Sequence, residues 1–492
     1  MCGILGLIGK EPVADRLIKG AGRLQNRGER STRVVTYDMN FFYSHGGTKP
    51  PTLQFFDFDP SNLRGTMGIV HTRYATSGAN TPDMLERNIQ PVLSDRPGMA
   101  TCNNGDLVNL FSQVERLRQR GFSFQTQVDA KVIQNTLIYH MINNKAYKYK
   151  GSTTEFVSAL FQSVEQMHQE LVGAYSVLCI MESGLVAFKD PRGIRPLCMA
   201  HRRDEQENII EYAFSSESSV FNYFGDYHGI NELEPGEVIF IDHETFQKFQ
   251  YKSPGSQEKF CFFEFIYFAR PDTRFKGRVV EVVRQDLGAI LAEECGHLKD
   301  RIDVVCGLPG TAVSTGIKFA QKLNLQYRRA IIKVDNKRSF QETSDIKRQK
   351  AIDEKFIFLR DFIEGKSIAV IDDSNVRGTT AKKIVRRMFE LGAREVHMIY
   401  YCPPIIGPCF YGIDTPDETK LLAWNRTIDK IKDEMGCTTV TYISKEGLIR
   451  GLKVPEDELC LACITREYPT DVSEAQNRIR GRIVERELSD RG

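Results

Sequence analysis

The sequence has almost no net charge. Its 66 Lys and Arg against 64 Asp and Glu leave +2 over 492 residues, so nothing electrostatic favours nucleic acid or an anionic membrane surface as a partner. It also lacks a long uncharged apolar run. The most apolar stretch, Leu171 to Phe188, is interrupted by Glu182 and Gly184 and reads as two strands. The opening Met-Cys-Gly-Ile-Leu-Gly-Leu-Ile-Gly-Lys has neither the basic flank nor the length of a secretory signal. A cytoplasmic protein is expected, with no membrane and no nucleic-acid partner. There is no G-x-x-x-x-G-K-S/T, which removes a Walker-type phosphate loop from consideration.

What is present is ordinary for a globular protein: 41% hydrophobic and 26% charged residues. The length suggests roughly two to four domains. Twelve cysteines spread through the chain argue for reduced thiols and a metal site rather than a disulfide framework.

The stretch from Lys366 to Ile384 organises the second half. Ile368 to Ile371 is a short β-branched run typical of a buried parallel strand. Asp372 and Asp373 stand where that strand ends. Ser374 to Thr380 is a small-residue loop, and Ala381 opens a helical pattern. Ligands of open α/β sheets bind at the carboxyl ends of strands, and free N–H groups at a helix start favour phosphate. Gly378 permits close backbone approach, and the Thr379 and Thr380 hydroxyls add donors. Two adjacent carboxylates suit sugar hydroxyls or a Mg²⁺ carried by the substrate. Residues 371–380, Ile-Asp-Asp-Ser-Asn-Val-Arg-Gly-Thr-Thr, resemble the PRPP-binding loop of type I phosphoribosyltransferases. That resemblance implies PRPP held by Ser374, Arg377, Gly378, Thr379 and Thr380, with Asp372 and Asp373 at the ribose and its Mg²⁺.

Cys2 opens the first half. Its small neighbour Gly3 favours removal of Met1, leaving Cys2 with its own α-amine as a base of pKa ~8. Met-Cys-Gly-Ile-Leu-Gly-Leu-Ile resembles the start of class II glutamine amidotransferases, the N-terminal-nucleophile (Ntn) type. Further motifs of that family follow in order. They are Leu24-Gln-Asn-Arg-Gly28, His71-Thr-Arg-Tyr-Ala-Thr-Ser-Gly78, Asn103-Asn-Gly-Asp-Leu107 (for H-N-G-N-L), Asp129, Lys189-Asp-Pro-Arg-Gly-Ile-Arg-Pro-Leu197, Ser215-Ser-Glu217 and Leu233-Glu-Pro-Gly-Glu237. The resemblance implies Cys2 as nucleophile and Asn104 with the Gly105 N–H as oxyanion hole. It implies Arg73 as clamp for the glutamine carboxylate, Asp129 as partner of its ammonium, and Arg27 among the substrate-binding residues. Departures from the family pattern are Arg30, Arg33, Asn103, Ala130 and Lys131. They motivate two alternatives: a paralogue with weakened glutaminase that uses ammonia or another amine with PRPP, and a non-catalytic nucleotide- or PRPP-binding regulatory subunit.

Residues 250–259 read as a linker around Pro254, Gly255 and Ser256. Cys261-Phe-Phe-Glu-Phe-Ile-Tyr-Phe-Ala-Arg-Pro-Asp272 resembles the segment joining the two halves in the amidophosphoribosyltransferase family. Beyond it, helices and strands alternate: a helix over Val279 to His297, strands over Ile302 to Cys306, Ala330 to Lys333 and Glu395 to Tyr401, and a loop over Leu308 to Ala312. In the family that loop carries an acid facing diphosphate, which is missing around Gly310 and Thr311. The basic stretch from Asp335 to Phe356 stands where the family has a loop closing over PRPP. Cys460-Leu-Ala-Cys463 resembles the end of the iron–sulfur branch, which implies a [4Fe–4S] cluster on Cys261, Cys409, Cys460 and Cys463.

The expected fold is thus mixed α/β and α+β. Residues 2–250 form an αββα Ntn-hydrolase domain, residues 260–465 a type I phosphoribosyltransferase fold with a parallel sheet, and residues 466–492 a charged tail. The expected activity is glutamine hydrolysis coupled to amination of PRPP. The resemblance further implies purine-nucleotide inhibitors and a homo-oligomer, dimer or tetramer.

Overall fold

The computed structural model describes residues 2–74, 82–126, 128–146, 153–334, 356–415 and 418–479. The motif segment 75–78, the basic stretch 335–355 with its Arg338-Ser-Phe-Gln, and tail residues 480–492 lie outside the described residues.

The first half builds two antiparallel sheets. One has seven strands, with Gly3–Gly9 paired to Met67–Arg73 on one side and Ile209–Ser215 on the other. The other has six, with Gly98–Leu107 paired to Gly173–Met181. The strand Gly3–Gly9 is buried throughout, and the two-residue side-chain period divides it between two cores. Ile4 and Ile8 pack between the sheets with Ile69, Leu178 and Ile180. Leu5 and Leu7 face the other way, against Leu17 and Ala21 of the helix Ala14–Arg23. Gly6 makes the sheet contact possible, since a Cβ there would come within 3.0 Å of Leu178. On the far side, the helices Asp129–Asn143 and Thr153–Glu170 cover the second sheet through Ile133, Leu137, Leu160 and Val164. Helix, sheet, sheet, helix is the expected αββα layering.

The second half is centred on a parallel sheet in the spatial order Gln326–Tyr327, Val304–Gly307, Ser367–Asp372, Glu395–Tyr400, Thr439–Tyr442. Ser367–Asp372 is the middle strand. Its Ile368 to Ile371 are fully buried, as the uninterrupted apolar run requires. Ile331–Lys333 pairs with Phe356–Phe358 in a separate antiparallel ribbon. The helix Val280–Glu294 packs Val283, Leu287 and Leu291 into the core.

Several expected boundaries moved. The strand Lys248–Lys252 runs three residues into the expected linker, because its register with Glu237–Asp242 continues to Lys252. The helix after the PRPP-like loop starts at Thr379, with Gly378 left-handed (φ 77°) just before it. The described part of the tail is helical over 473–479. Among the described residues no helix is long and apolar enough to cross a membrane.

Candidate active sites and the thiol cluster

Cys2 precedes the first strand and is buried. Two contacts hold its backbone. The Arg27 guanidinium donates Nε–H to the Cys2 carbonyl at 2.9 Å, and Cys2 N donates to Asn104 Oδ1 at 3.3 Å. That leaves Asn104 Nδ2 buried with no hydrogen-bond partner among the described residues. A buried donor without a partner is costly, and here it stands beside a thiol, where a developing oxyanion would accept from it. Gly105, next in the strand, has φ 142°, and a Cβ there would lie 1.9 Å from the Ala174 carbonyl. Only glycine fits.

Arg73 ends the strand Met67–Arg73 and is buried, with Nη1 donating to the Asn88 carbonyl at 2.6 Å. Asp129 begins the helix Asp129–Asn143, where an N-terminal carboxylate is favoured. It accepts from Ala130 N at 2.9 Å and from Asn103 Nδ2 at 2.8 Å. Asn103 therefore does local work in place of the family's His: it orients Asp129. Burial first, then the neighbouring Asp106, raise the Asp129 carboxyl above the ordinary range. Burial also raises the Cys2 thiol, against the pull of the amino terminus and Arg73. Burial, with the charge of Arg73, pushes the His71 imidazole down to about 3, so it stands neutral.

The other departures lead elsewhere. Lys131 donates to the Leu93 carbonyl at 2.9 Å and to Gln134 Oε1 at 2.7 Å. Arg30 is exposed, and Arg33 reaches the Pro91 carbonyl at 3.4 Å. Arg27 is committed to protein groups at all three nitrogens: Cys2 O, Glu217 and Glu264. The expectation that it touches substrate gives way to one in which it positions the nucleophile.

In the second half, Asp372, Asp373, Ser374, Arg377, Gly378, Thr379 and Thr380 all line one cleft of about 830 Å³. Asp373 N donates to Asp372 Oδ1 at 2.8 Å, and Ser374 Oγ to Asp373 Oδ1 at 2.6 Å. Burial raises both carboxyls, and for Asp372 the charge of Asp373 adds to it. Two crowded acids of this kind suit hydroxyl donors or a cation. The twelve-residue helix Thr379–Glu390 presents its N-terminus at the cleft, and a helix start favours an anion. Where the acid of the diphosphate loop is missing, the Thr311 hydroxyl donates to Asp373 instead.

The cleft is also lined by Asn26 and Tyr74 from the first half and by Tyr267 from the joint. Tyr74 directly follows Arg73, so the two sites share a wall.

The four cysteines gather as well. Cys261 and Cys460 are paired across the parallel strands Phe260–Cys261 and Leu459–Cys460. Cys463 follows on the turn Ala462–Thr465. Cys409 Sγ accepts from Tyr411 N at 3.4 Å and lies 3.9 Å from Arg195 Nη2. Burial raises the thiols of Cys261 (to about 11), Cys460 and Cys463, and each of the three feels others of the set. Cys402 also adjoins Cys463. All twelve cysteines are free. Among the described residues no group of three or more His, Cys, Asp or Glu is placed to hold a single metal ion. A four-iron cluster makes a different demand, with one thiolate on each iron, and four converging thiols beside a buried arginine suit its donor set.

Sequence reasoning missed four residues. Asp106 lies near Cys2, Arg73 and Asp129; its signal was an acid where the resembled H-N-G-N-L has Asn. Arg284 is a buried cation on an otherwise apolar helix face, donating to the Phe265 and Ala269 carbonyls at 3.0 Å each. Glu474 and Arg478 belong to the tail. Glu474 accepts from Phe111 N at 2.9 Å, at the start of the helix Leu110–Gln119, and Arg478 stacks 3.8 Å over the Phe111 ring. With Arg73, Asn88 and Thr126, Arg478 lines a second cavity of about 550 Å³. Nothing in the charged composition of the tail revealed this.

Comparison with known proteins agrees with the geometry. A glutamine amidotransferase domain model matches residues 71–222. The amidophosphoribosyltransferase of Bacillus subtilis is 33% identical over 481 residues, covering 96% of this chain and 94% of the relative. That of Methanocaldococcus jannaschii is 33% identical over 494 residues, covering 96% and 98%. Among solved structures, glutamine PRPP amidotransferase from Bacillus subtilis, complexed with ADP and GMP, superposes with a TM-score of 0.82 at 32% identity, covering 96% of this chain and 98% of that one. The chain belongs to the amidophosphoribosyltransferase family.

Proposed function

We propose that this enzyme hydrolyses glutamine in its first half and delivers the ammonia to PRPP in its second, giving 5-phosphoribosylamine, glutamate and diphosphate, the first step of de novo purine synthesis. The observation that carries the reading is the shared wall: Tyr74, one residue from the Arg73 clamp, lines the cleft of the acid pair and the phosphate-binding helix start.

With Met1 removed, the Cys2 α-amine takes the thiol proton and the sulfur adds to the glutamine side-chain amide carbon. Asn104 Nδ2 and the Gly105 N–H receive the oxyanion. Arg73 holds the α-carboxylate and Asp129 the ammonium. The intermediate collapses with the proton passing to the leaving nitrogen, so ammonia departs and a glutamyl thioester remains. Water then releases glutamate and restores the thiol. In the cleft, Ser374, Arg377, Gly378, Thr379 and Thr380 hold the 5′-phosphate loop contacts while Asp372 and Asp373 face the ribose. Ammonia forms a bond to the anomeric carbon as the bond to diphosphate breaks. Positioning and charge stabilisation are the main contributions there. Mg²⁺ bound with PRPP would be faced by Asp372 and Asp373 and would neutralise charge on the diphosphate leaving group.

Cys261, Cys409, Cys460 and Cys463 would hold the [4Fe–4S] cluster in a structural role. We assign the glutaminase unit to residues 2–250, the phosphoribosyltransferase unit to 260–465 and the tail to 466–492. A cytoplasmic homo-oligomer, dimer or tetramer, inhibited by purine nucleotides completes the reading; the ADP and GMP bound to the relative support the last point.

The test is glutamate release from glutamine by anaerobically purified protein, with and without PRPP and Mg²⁺. Release that PRPP strongly increases is the expected result. No release under either condition, with Met1 shown by mass to be absent, would overturn the glutaminase half and leave an ammonia-dependent enzyme or a binding subunit.

A further inference from the structure

The nucleophile and the cysteine cluster are joined by buried charge. Arg27, Glu217, Glu264 and Arg195 each have side chains 0% exposed. Arg27 meets Glu264 through two bonds, Nη2 to Oε1 at 2.9 Å and Nη1 to Oε2 at 3.0 Å, and Glu217 Oε1 at 2.9 Å. Its remaining nitrogen, Nε, holds the Cys2 carbonyl. Glu264 is shared: Arg195 Nη1 lies 3.7 Å from the same Oε1. Arg195 in turn donates Nε–H to the Tyr411 carbonyl at 2.5 Å and points Nη2 at Cys409 Sγ. Arg27 and Arg195 thus meet Glu217 and Glu264 in one buried network. Glu217 is saturated by other groups of the joint, accepting from Thr273 Oγ1 at 2.7 Å and Arg270 N at 3.1 Å. Glu264 bridges the two arginines, and it lies three residues beyond Cys261 on the turn Glu264–Phe268.

The geometry points to Glu264 as a positioning residue: through Arg27 it sets the Cys2 backbone for attack, and through Arg195 it makes that setting depend on the Cys409 sulfur. This rests on the proposed glutaminase reading. A buried carboxylate held by two guanidinium groups has one arrangement that satisfies all of them. If Cys409 is altered, Arg195 loses a neighbour, and the strain passes to Glu264 and Arg27 rather than into water. The nucleophile is sensitive to small shifts, since about 1 Å of misplacement can cost about a hundredfold.

The experiment compares wild type with Glu264→Gln, which keeps shape and removes charge. Three quantities are read: glutamine-dependent turnover, ammonia-dependent turnover with PRPP, and the rate at which a glutamine-analogue diazoketone alkylates Cys2, followed by mass. The expected result is a fall of about tenfold to about a hundredfold in glutamine-dependent kcat and in alkylation rate, with ammonia-dependent turnover within about twofold. Cys409→Ala should slow alkylation severalfold in the wild-type background and leave it unchanged in the Glu264→Gln background. If Glu264→Gln does not fold, Arg195→Lys, which keeps charge but loses the fork, is carried through the same readings. Glutamine and ammonia activities falling together would overturn the inference in favour of plain destabilisation. So would an equal Cys409→Ala effect in both backgrounds, or none in either. Wild type inactive with glutamine would overturn the underlying reading instead, which keeps the two failures distinct.

Discussion

Asn104→Ala separates chemistry from stability at this site. In the resting protein the Asn104 side chain makes one bond, accepting from Cys2 N at 3.3 Å, while its Nδ2 is buried without a partner among the described residues. Alanine therefore removes a long hydrogen bond worth about 1 kcal/mol and relieves an unsatisfied donor costing about 1–3 kcal/mol. The two effects oppose each other, so Tm should change little. In the transition state the balance differs, because Nδ2 then meets an oxyanion in a dry site. Loss of one such donor costs about 10²–10³ in kcat, or about 2.7–4 kcal/mol. The expected result is a glutamine-dependent kcat reduced by that factor and an ammonia-dependent rate unchanged, since ammonia bypasses Cys2. Steady-state kinetics with each nitrogen donor, beside thermal denaturation, makes the measurement. A reduction under tenfold, or an equal loss with ammonia, would refute the placement of Nδ2 in the oxyanion hole.

Asp129→Asn should raise the glutamine KM by more than tenfold, the order expected when a charge-assisted bond is lost. The native Asp129 carboxyl is raised by burial and Asp106. It is therefore protonated at higher pH than an ordinary carboxyl, and kcat/KM for glutamine should fall as pH drops through that raised value. The variant should lose this acid limb; a profile identical to wild type would exclude Asp129 as the ammonium partner. Gly378→Ala forces a left-handed residue with φ 77° and a Cβ 3.2 Å from Leu422, which should cost about 1–2 kcal/mol and raise the PRPP KM; isothermal binding of PRPP with unaltered affinity would count against the loop assignment. Cys463→Ala should remove iron and acid-labile sulfide from anaerobically prepared protein, whereas retention of both would exclude Cys463 as a ligand.

The parts of this protein that were legible in the sequence are those where local pattern and chemistry coincide. The run Ile368 to Ile371 specified a buried parallel strand because such a strand has no polar face. Asp372, Asp373 and Gly378 stand at its carboxyl end, and the turn before the helix needs glycine at positive φ. Cys2, Asn104 and Gly105 stand out together because their order matches one chemistry, and Cys2 N meets Asn104 Oδ1 because the strands Gly3–Gly9 and Gly98–Leu107 lie in the two packed sheets. The helix boundaries shifted by one to three residues, since side-chain periodicity does not mark where a helix ends.

What tertiary structure alone decided are the long-range partners. The resemblance implies Arg27 among the substrate-binding residues; the fold brings Glu217 and Glu264, 190 and 237 residues away, to its guanidinium. The charged tail shows no partner in the sequence; the fold sets Glu474 at the start of a helix 363 residues earlier in the chain. Charge pairing is non-directional along the sequence and leaves no period to read. Apolar periodicity and turn chemistry are local properties of the chain, whereas the partner of a buried ion is known only once the chain has closed on itself.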